Sequence, residues 1–235
     1  MKIGILQCGA PPEALRAEHG SYGAMMRKLL GPGRDTVVYD VRAGALPTDG
    51  AECDAYVLTG SSAGVYDDLP WIPDLLRFLQ TAKGRAKLVG ICFGHQAMAQ
   101  AFGGQVIKSP KGWGIGVQHY TVRDRAPWMD DVTGLRAPAS HQDQVIVSPP
   151  GARVTVESAF TPYAGLDYGD AISFQFHPEF SPEYGAALLE HRQDRYGAAA
   201  DAAIASYRGP NDCARVAGWI GRFLDAPAPN TGPGR

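Results

Sequence analysis

The stretch Lys87-Leu88-Val89-Gly90-Ile91-Cys92-Phe93-Gly94-His95-Gln96 decides how the rest of the chain is read. Its apolar run has the character of a buried strand. Ala97, Met98, Ala99, Gln100, Ala101 and Phe102 follow as a helix built from good formers. Between the two stands Cys92, with Gly90 and Gly94 two residues away on either side. Strand, tight turn, nucleophile and helix together make a nucleophile elbow. A sharp strand-to-helix turn crowds the backbone, and residues without Cβ relieve the crowding. The turn lifts the Cys92 side chain beyond the sheet and aims the first amides of the helix at it. Amides so placed favour a thiolate and can hold an oxyanion. A lone cysteine in an apolar run is more often a core residue. The glycines and the strand–helix context favour a catalytic thiol here.

The 235 residues suffice for one large domain with a sizeable core. Apolar content of 45% and charged content of 20% are ordinary for a soluble globular protein. A net charge of −2 offers no basic field for nucleic acid or an anionic membrane. Met1-Lys2-Ile3-Gly4-Ile5-Leu6 reads as a first core strand rather than a signal peptide, and no stretch is long enough to span a bilayer. Cys8, Cys53, Cys92 and Cys213 lack paired spacing. That pattern argues against a disulfide scaffold or a zinc site and for a reducing cytoplasm. No cofactor or metal is expected.

Strands are expected at Lys2–Gln7, Thr36–Val41 and Ala55–Thr59, with helices at Ser21–Leu30 and Pro73–Lys83 and a polar loop after Pro12. This alternation predicts an α/β fold: a three-layer domain with a central mixed, mostly parallel sheet flanked by helices. After Phe102 the chain turns strand-rich, at Gln105–Lys108, Gly116–Val122, Val145–Val147, Arg153–Ser158 and Ala171–Phe176, with antiparallel pairing expected. Helix returns from Ser181, and in the stretch Ser206–Leu224 Pro210-Asn211-Asp212 reads as a helix start followed by apolar spacing at Val216, Ile220, Phe223 and Leu224. Residues 1–225 read as one domain, and residues 226–235, rich in Pro, Gly and Ala, as a flexible tail.

A cysteine nucleophile needs a base, and the base an orienting group. Phe174-Gln175-Phe176-His177-Pro178-Glu179 supplies both. His177 ends a strand, where open α/β sheets place their ligands. On extended backbone His177 and Glu179 project to the same side, and Pro178 keeps His177 out of the helical region. Glu179 can then hold one ring nitrogen and leave the other for the thiol. Alone, such a His-Pro-Glu would pass for a surface histidine before a helix start. Paired with the elbow it reads as a catalytic triad. Other histidines are weaker. His95 is expected to pack or cap, His119 to sit on a strand face, and His19 and His191 have no nameable partner. Tyr66-Asp67-Asp68 reads as a solvated turn before it reads as a lid, and Trp71, Trp113 and Trp128 as core or pocket walls.

Gly90-Ile91-Cys92-Phe93-Gly94-His95-Gln96 and Phe176-His177-Pro178-Glu179 resemble the two signatures of class I, triad-type glutamine amidotransferases, in the branch similar to the amidotransferase domain of GMP synthase. Leu58-Thr59-Gly60-Ser61-Ser62 is similar to that family's oxyanion loop and Ser140-His141-Gln142-Asp143 to its substrate loop. The resemblance runs from Met1 to about Glu190 and implies a flavodoxin-like fold. It further implies that Cys92 attacks a γ-carbonyl, that His177 shuttles the proton and that Glu179 orients it. The amides of Ser61 and Phe93 would form the oxyanion hole, although the family usually has glycine at Ser61. Gly60, Gln96, Trp113, Gly114, His141 and Asp143 would bind substrate.

Two reactions share this thioester chemistry. One is a glutaminase, which would pass ammonia to a separate synthase subunit, since the chain has no P-loop or Rossmann fingerprint. The other is a stand-alone γ-glutamyl peptidase or hydrolase. An α/β-hydrolase with a cysteine nucleophile would order its triad Cys, Asp, His, and here the acid follows the histidine. A binding module with a degenerate site is disfavoured by the intact triad. A homodimer stays open.

Overall fold

The structure, a computed structural model, describes residues 1–227, so the tail expected at 226–235 lies outside the described residues from 228 onward. The strands are β1 (Lys2–Gln7), β2 (Asp35–Asp40), β3 (Ala55–Leu58), β4 (Lys87–Ile91), β5 (Gln105–Lys108), β6 (Gly114–Val122), β7 (Gly134–His141), β8 (Asp143–Val147), β9 (Arg153–Glu157), β10 (Gly165–Asp167) and β11 (Ala171–Phe174). The helices are α1 (Glu13–His19), α2 (Tyr22–Leu30), α3 (Trp71–Ala82), α4 (Phe93–Ala101), α5 (Pro182–His191), α6 (Ala199–Ser206) and α7 (Cys213–Asp225).

Nine strands form one sheet in the order β2-β1-β3-β4-β11-β10-β9-β6-β7, and β5 and β8 pair separately. From β2 to β11 neighbours run parallel, and from β11 to β7 antiparallel. The parallel half carries the elbow. Side chains alternate between the two faces of each strand. On one face Ile3, Ile5, Val57, Val89 and Ile91 pack against Met26 and Leu30 of α2 and against Val216, Trp219 and Phe223 of α7. On the other, Leu6, Tyr56, Leu58 and Leu88 pack against Leu75 and Phe78 of α3 and Ala97 and Met98 of α4. The result is the three-layer mixed α/β arrangement expected. Among the described residues no helix is long and apolar enough to cross a membrane.

Lys87 fastens the last helix to this sheet. It is 8% exposed, and its Nζ donates to the carbonyls of Phe223 and Leu224 at 2.8 Å each and to that of Ala226. A cation there complements the C-terminal end of the α7 dipole and satisfies carbonyls that have no partner within the helix.

The structure departs from expectation in three places. The polar loop after Pro12 contains α1: Pro12 is its N-cap residue and Glu13 lies in its first turn, and local helix formers outweigh the absence of a buried face. β7 went unpredicted because Pro138 sits in its middle, and proline argues against a strand. In the fold β7 is the sheet edge, where a missing N–H is tolerated. β10 is three residues long and too short to show a pattern. A smaller shift affects a boundary: α3 begins at Trp71 with Pro73 still in its first turn. α7 begins at Cys213 with Asp212 as its N-cap residue, at the helix start expected after Pro210.

Candidate active site

β4 ends at Ile91, and the next residue reverses the chain into α4. Cys92 adopts φ 53° and ψ −103°, and among the described residues it is the only non-glycine with positive φ. Such a conformation is strained for a residue with a Cβ and persists only where neighbours impose it. They do so here. The Cys92 N–H donates to the Phe174 carbonyl at 2.8 Å, and its carbonyl accepts from the Gln96 N–H at 3.0 Å. A Cβ at Gly90 would lie 2.6 Å from the Gly94 carbonyl oxygen and from Met98 Sδ, and one at Gly94 would lie 2.5 Å from Leu58 Cβ. The two glycines thus allow α4 to press on β3 and β4 closely enough to force the turn.

Parallel pairing brings the histidine to the cysteine. Phe174 of β11 stands in register with Ile91 of β4, so both chains leave the sheet at the same edge. His177 follows shortly after, its N–H donating to Pro138 of β7 at 2.8 Å and its ring stacked 4.0 Å from that of Phe180. Nδ1 of His177 lies 2.7 Å from Oε1 of Glu179, with the two side chains 5% and 1% exposed. Nε2 is buried and has no hydrogen-bond partner among the described residues. A Cβ on Gly60 would lie 3.0 Å from His177 Cε1 and 3.7 Å from Cys92 Cβ, so the two side chains converge over a residue with no side chain. Burial favours the neutral ring, but the Glu179 carboxylate and the Cys92 sulfur outweigh it and push the imidazole up to about 10. The site therefore stabilises an imidazolium beside the sulfur.

Two backbone amides face no acceptor. Phe93 opens α4, where an N–H has no intrahelical partner, and Ser61 lies in the loop after β3. Neither amide donates to a protein group among the described residues. The Ser61 loop sits close on Gly9, where a Cβ would come within 2.6 Å of the Gly60 carbonyl oxygen. A Cβ at Ser61 is accommodated, and its Oγ accepts from the Ala63 N–H at 3.2 Å.

A cavity of about 270 Å³ opens over Cys92. Gln96, Trp113, His141 and Asp143 line it, and so does Ser61. Gly60 lines a smaller crevice of about 20 Å³ on the His177 side. Gly114 lines neither of these. A Cβ there would strike Phe160 at 2.6 Å and approach His141 Nε2 at 3.2 Å, so this glycine lets the cavity wall close up. Gln96 is occupied with structure as well: its Nε2 donates to the Asp143 carbonyl at 2.9 Å and to Gln175 Oε1 at 3.2 Å, fixing the segment after β7. His141 is buried with Nδ1 3.1 Å from the Asp143 carbonyl, and burial pushes it down to about 4, a neutral ring. Burial raises Asp143, which faces the Tyr66 hydroxyl.

His95 packs as foreseen. It is fully buried, with Nδ1 2.8 Å from Ser173 Oγ, and burial pushes it down to about 3. His119 is exposed on β6. Tyr66 and Asp67 both line the cavity, while Asp67 Oδ2 also accepts from the Gly64 N–H at 2.8 Å, a turn that forms part of the wall. Three cavity residues had no forewarning in the sequence: Lys108, Arg192 and Arg195. The arginines leave α5 three residues apart, a spacing that places two side chains on one side of a turn, but no motif marks them.

The class-I glutamine amidotransferase family profile matches residues 26–193, across the elbow, both loops and the His–Glu pair. The chain belongs to the class-I glutamine amidotransferase family. Gamma-glutamyl peptidase 4 of Arabidopsis thaliana is 28% identical over 180 residues, 72% of this chain and 72% of that protein. A GMP synthase of Thermosipho africanus is 33% identical over 141 residues, 58% of this chain but only 26% of the synthase. Among solved structures, a glutamine amidotransferase of Thermotoga maritima superposes with a TM-score of 0.78 over 96% of this chain and 99% of that one, at 18% identity. That likeness concerns the fold.

Proposed function

We propose that the protein hydrolyses a γ-glutamyl amide through a thioester on Cys92. The thiolate of Cys92 attacks the γ-carbonyl carbon, and the carbonyl oxygen, now an oxyanion, is held by the amides of Ser61 and Phe93. As the C–N bond breaks, the His177 imidazolium gives its proton to the departing nitrogen. Glu179 holds the ring by Nδ1 throughout. Water then attacks the thioester, His177 takes its proton, and glutamate leaves with the thiol restored. Gln96, Trp113, His141 and Asp143 form the wall against which the glutamyl part lies, with the Asp143 carboxylate suited to an ammonium group.

The observation that carries this reading is the convergence of Cys92 at φ 53° with a His177–Glu179 pair at 2.7 Å. The family membership supports it. Two leaving groups are compatible with it. Ammonia from glutamine needs little space, and a separate synthase subunit would receive it. An amine or peptide needs more, and the cavity of about 270 Å³ favours this second reading. Four cysteines free of disulfides among the described residues support a reducing, cytoplasmic setting.

The test is to incubate the purified protein with glutamine and, separately, with γ-glutamyl peptides, following ammonia and free amine, and to trap the thioester for mass spectrometry. Cys92→Ala is expected to abolish turnover of both and the adduct of glutamyl mass. Turnover surviving that change would overturn the assignment.

A further inference from the structure

The cavity over Cys92 is lined by side chains of both charges. Asp67 and Asp143 are the acidic ones; burial and the neighbouring Asp67 raise Asp143, and Lys108 offsets part of that. Arg192 and Arg195 come from the segment that follows α5. Neither guanidinium forms an ion pair or donates a side-chain hydrogen bond among the described residues, although most other arginines of the chain do. Arg192 is half-buried, so its charge is only partly screened by water. Its position distinguishes it further. It lines both the main cavity and the small crevice that holds Gly60, His177 and Phe180. His177 is the group that protonates the departing nitrogen, so the crevice marks the side on which the leaving group departs.

We infer that Arg192 and Arg195 recognise a carboxylate on the leaving group, and that the preferred substrate is a γ-glutamyl amino acid or peptide whose amine product carries a free carboxylate close to the scissile bond. This rests on the thioester reading of Cys92 and names its substrate class. A guanidinium presents a planar fork that pairs with a carboxylate through two parallel bonds, and such pairing inside a partly desolvated cavity is stronger than on the surface. Glutamine carries only the α-carboxylate of its glutamyl part, because ammonia leaves without one. Asp67 and Asp143 suit the glutamyl ammonium. A γ-glutamyl peptide adds a second carboxylate, on the leaving group, and this second one falls to Arg192 and Arg195.

The experiment compares γ-glutamylglycine with γ-glutamylglycinamide, two substrates that differ only in the charge of the leaving group, through the ratio of their kcat/KM values. The native protein is expected to favour the acid by about 10- to 100-fold, the range of a charge-assisted hydrogen bond. Arg192→Ala and Arg195→Ala should each bring the ratio toward one, Arg192→Lys should hold it part-way, and added salt should lower it in the native protein. A native ratio near one overturns the inference. So does a ratio that the arginine variants leave unchanged while both rates fall together, since the side chains would then hold the glutamyl part or the fold. Turnover of glutamine without turnover of either dipeptide overturns it too, while the thioester reading stands. Activity persisting in Cys92→Ala would instead remove the thioester reading itself.

Discussion

Replacing Gly94 by alanine tests how the elbow is made. Gly94 is the second residue of α4, and in an unobstructed helix the exchange would stabilise by up to about 1 kcal/mol. Here the new Cβ would meet Leu58 Cβ at 2.5 Å and the Leu58 carbonyl oxygen at 2.8 Å. Leu58 is fully buried in β3, so neither atom can swing away. Restoring an ordinary carbon contact requires α4 and β3 to separate by about 1 Å. Overpacking of this kind costs about 1–3 kcal/mol, which offsets the propensity gain and leaves a net loss of about 1 kcal/mol. The displacement matters more than the energy. α4 carries the Phe93 amide and β3 leads into the Ser61 loop, so the two proposed oxyanion donors move apart. A misplacement of about 1 Å costs on the order of 100-fold in rate. Urea unfolding should show the modest loss, and steady-state kinetics the large one. Gly218→Ala is the matched control: its Cβ would find only Arg222 Nη1 at 3.5 Å in α7, and it should stabilise by about 0.5–1 kcal/mol with full activity. A Gly94→Ala protein with native stability and native turnover would refute the close-approach account of the elbow.

Three further outcomes follow from the same coordinates. Glu179→Gln removes the main influence raising His177 against its burial; the ring should titrate well below about 10, and kcat/KM should fall by about 100- to 10,000-fold, as pH–rate profiles of both proteins would reveal. His95 and His141 are buried neutral, pushed down to about 3 and about 4, so the unfolded chain binds their protons first. Each contributes stability that is complete above the unfolded value of about 6.5 and is lost as pH falls toward its folded value, at about 1.4 kcal/mol per pH unit. His95→Asn should halve the part of this slope due to the two histidines, measured by urea unfolding between pH 6.5 and 4.5. Lys87→Met strands the carbonyls of Phe223 and Leu224 and should cost about 2 kcal/mol, read by denaturant titration.

The elbow was legible because its constraint is local: two glycines, one cysteine and a change of periodicity sit within a few residues. The His177–Glu179 pair was legible for the same reason, since strand geometry and Pro178 place both side chains on one side. Edge strand β7 was hidden by Pro138, whose disfavour applies to strands hydrogen-bonded on both sides and lapses at a sheet edge. Gln96 lines the cavity and also holds the Asp143 segment through hydrogen bonds to Asp143 and Gln175, a second duty no motif announces, whereas Gly114 lies behind the wall, where only a residue without a Cβ leaves room for Phe160. Arg192 and Arg195 could not be read at all. Their meaning comes from the packing of α5 and α6 beside β6, which carries a surface turn to the rim of a cavity built by β4 and β7.

The backbone at Cys92 carries one more implication. A peptide unit held at φ 53° and ψ −103° is one that glycine enters without strain, whereas a residue with a Cβ holds it at a cost of about 1–3 kcal/mol. Natural selection acting on firmness alone would therefore replace the cysteine with glycine. That it remains makes position 92 a place where durability and reactivity are in direct competition, and inert descendants of this chain would be expected to lose their sulfur there first.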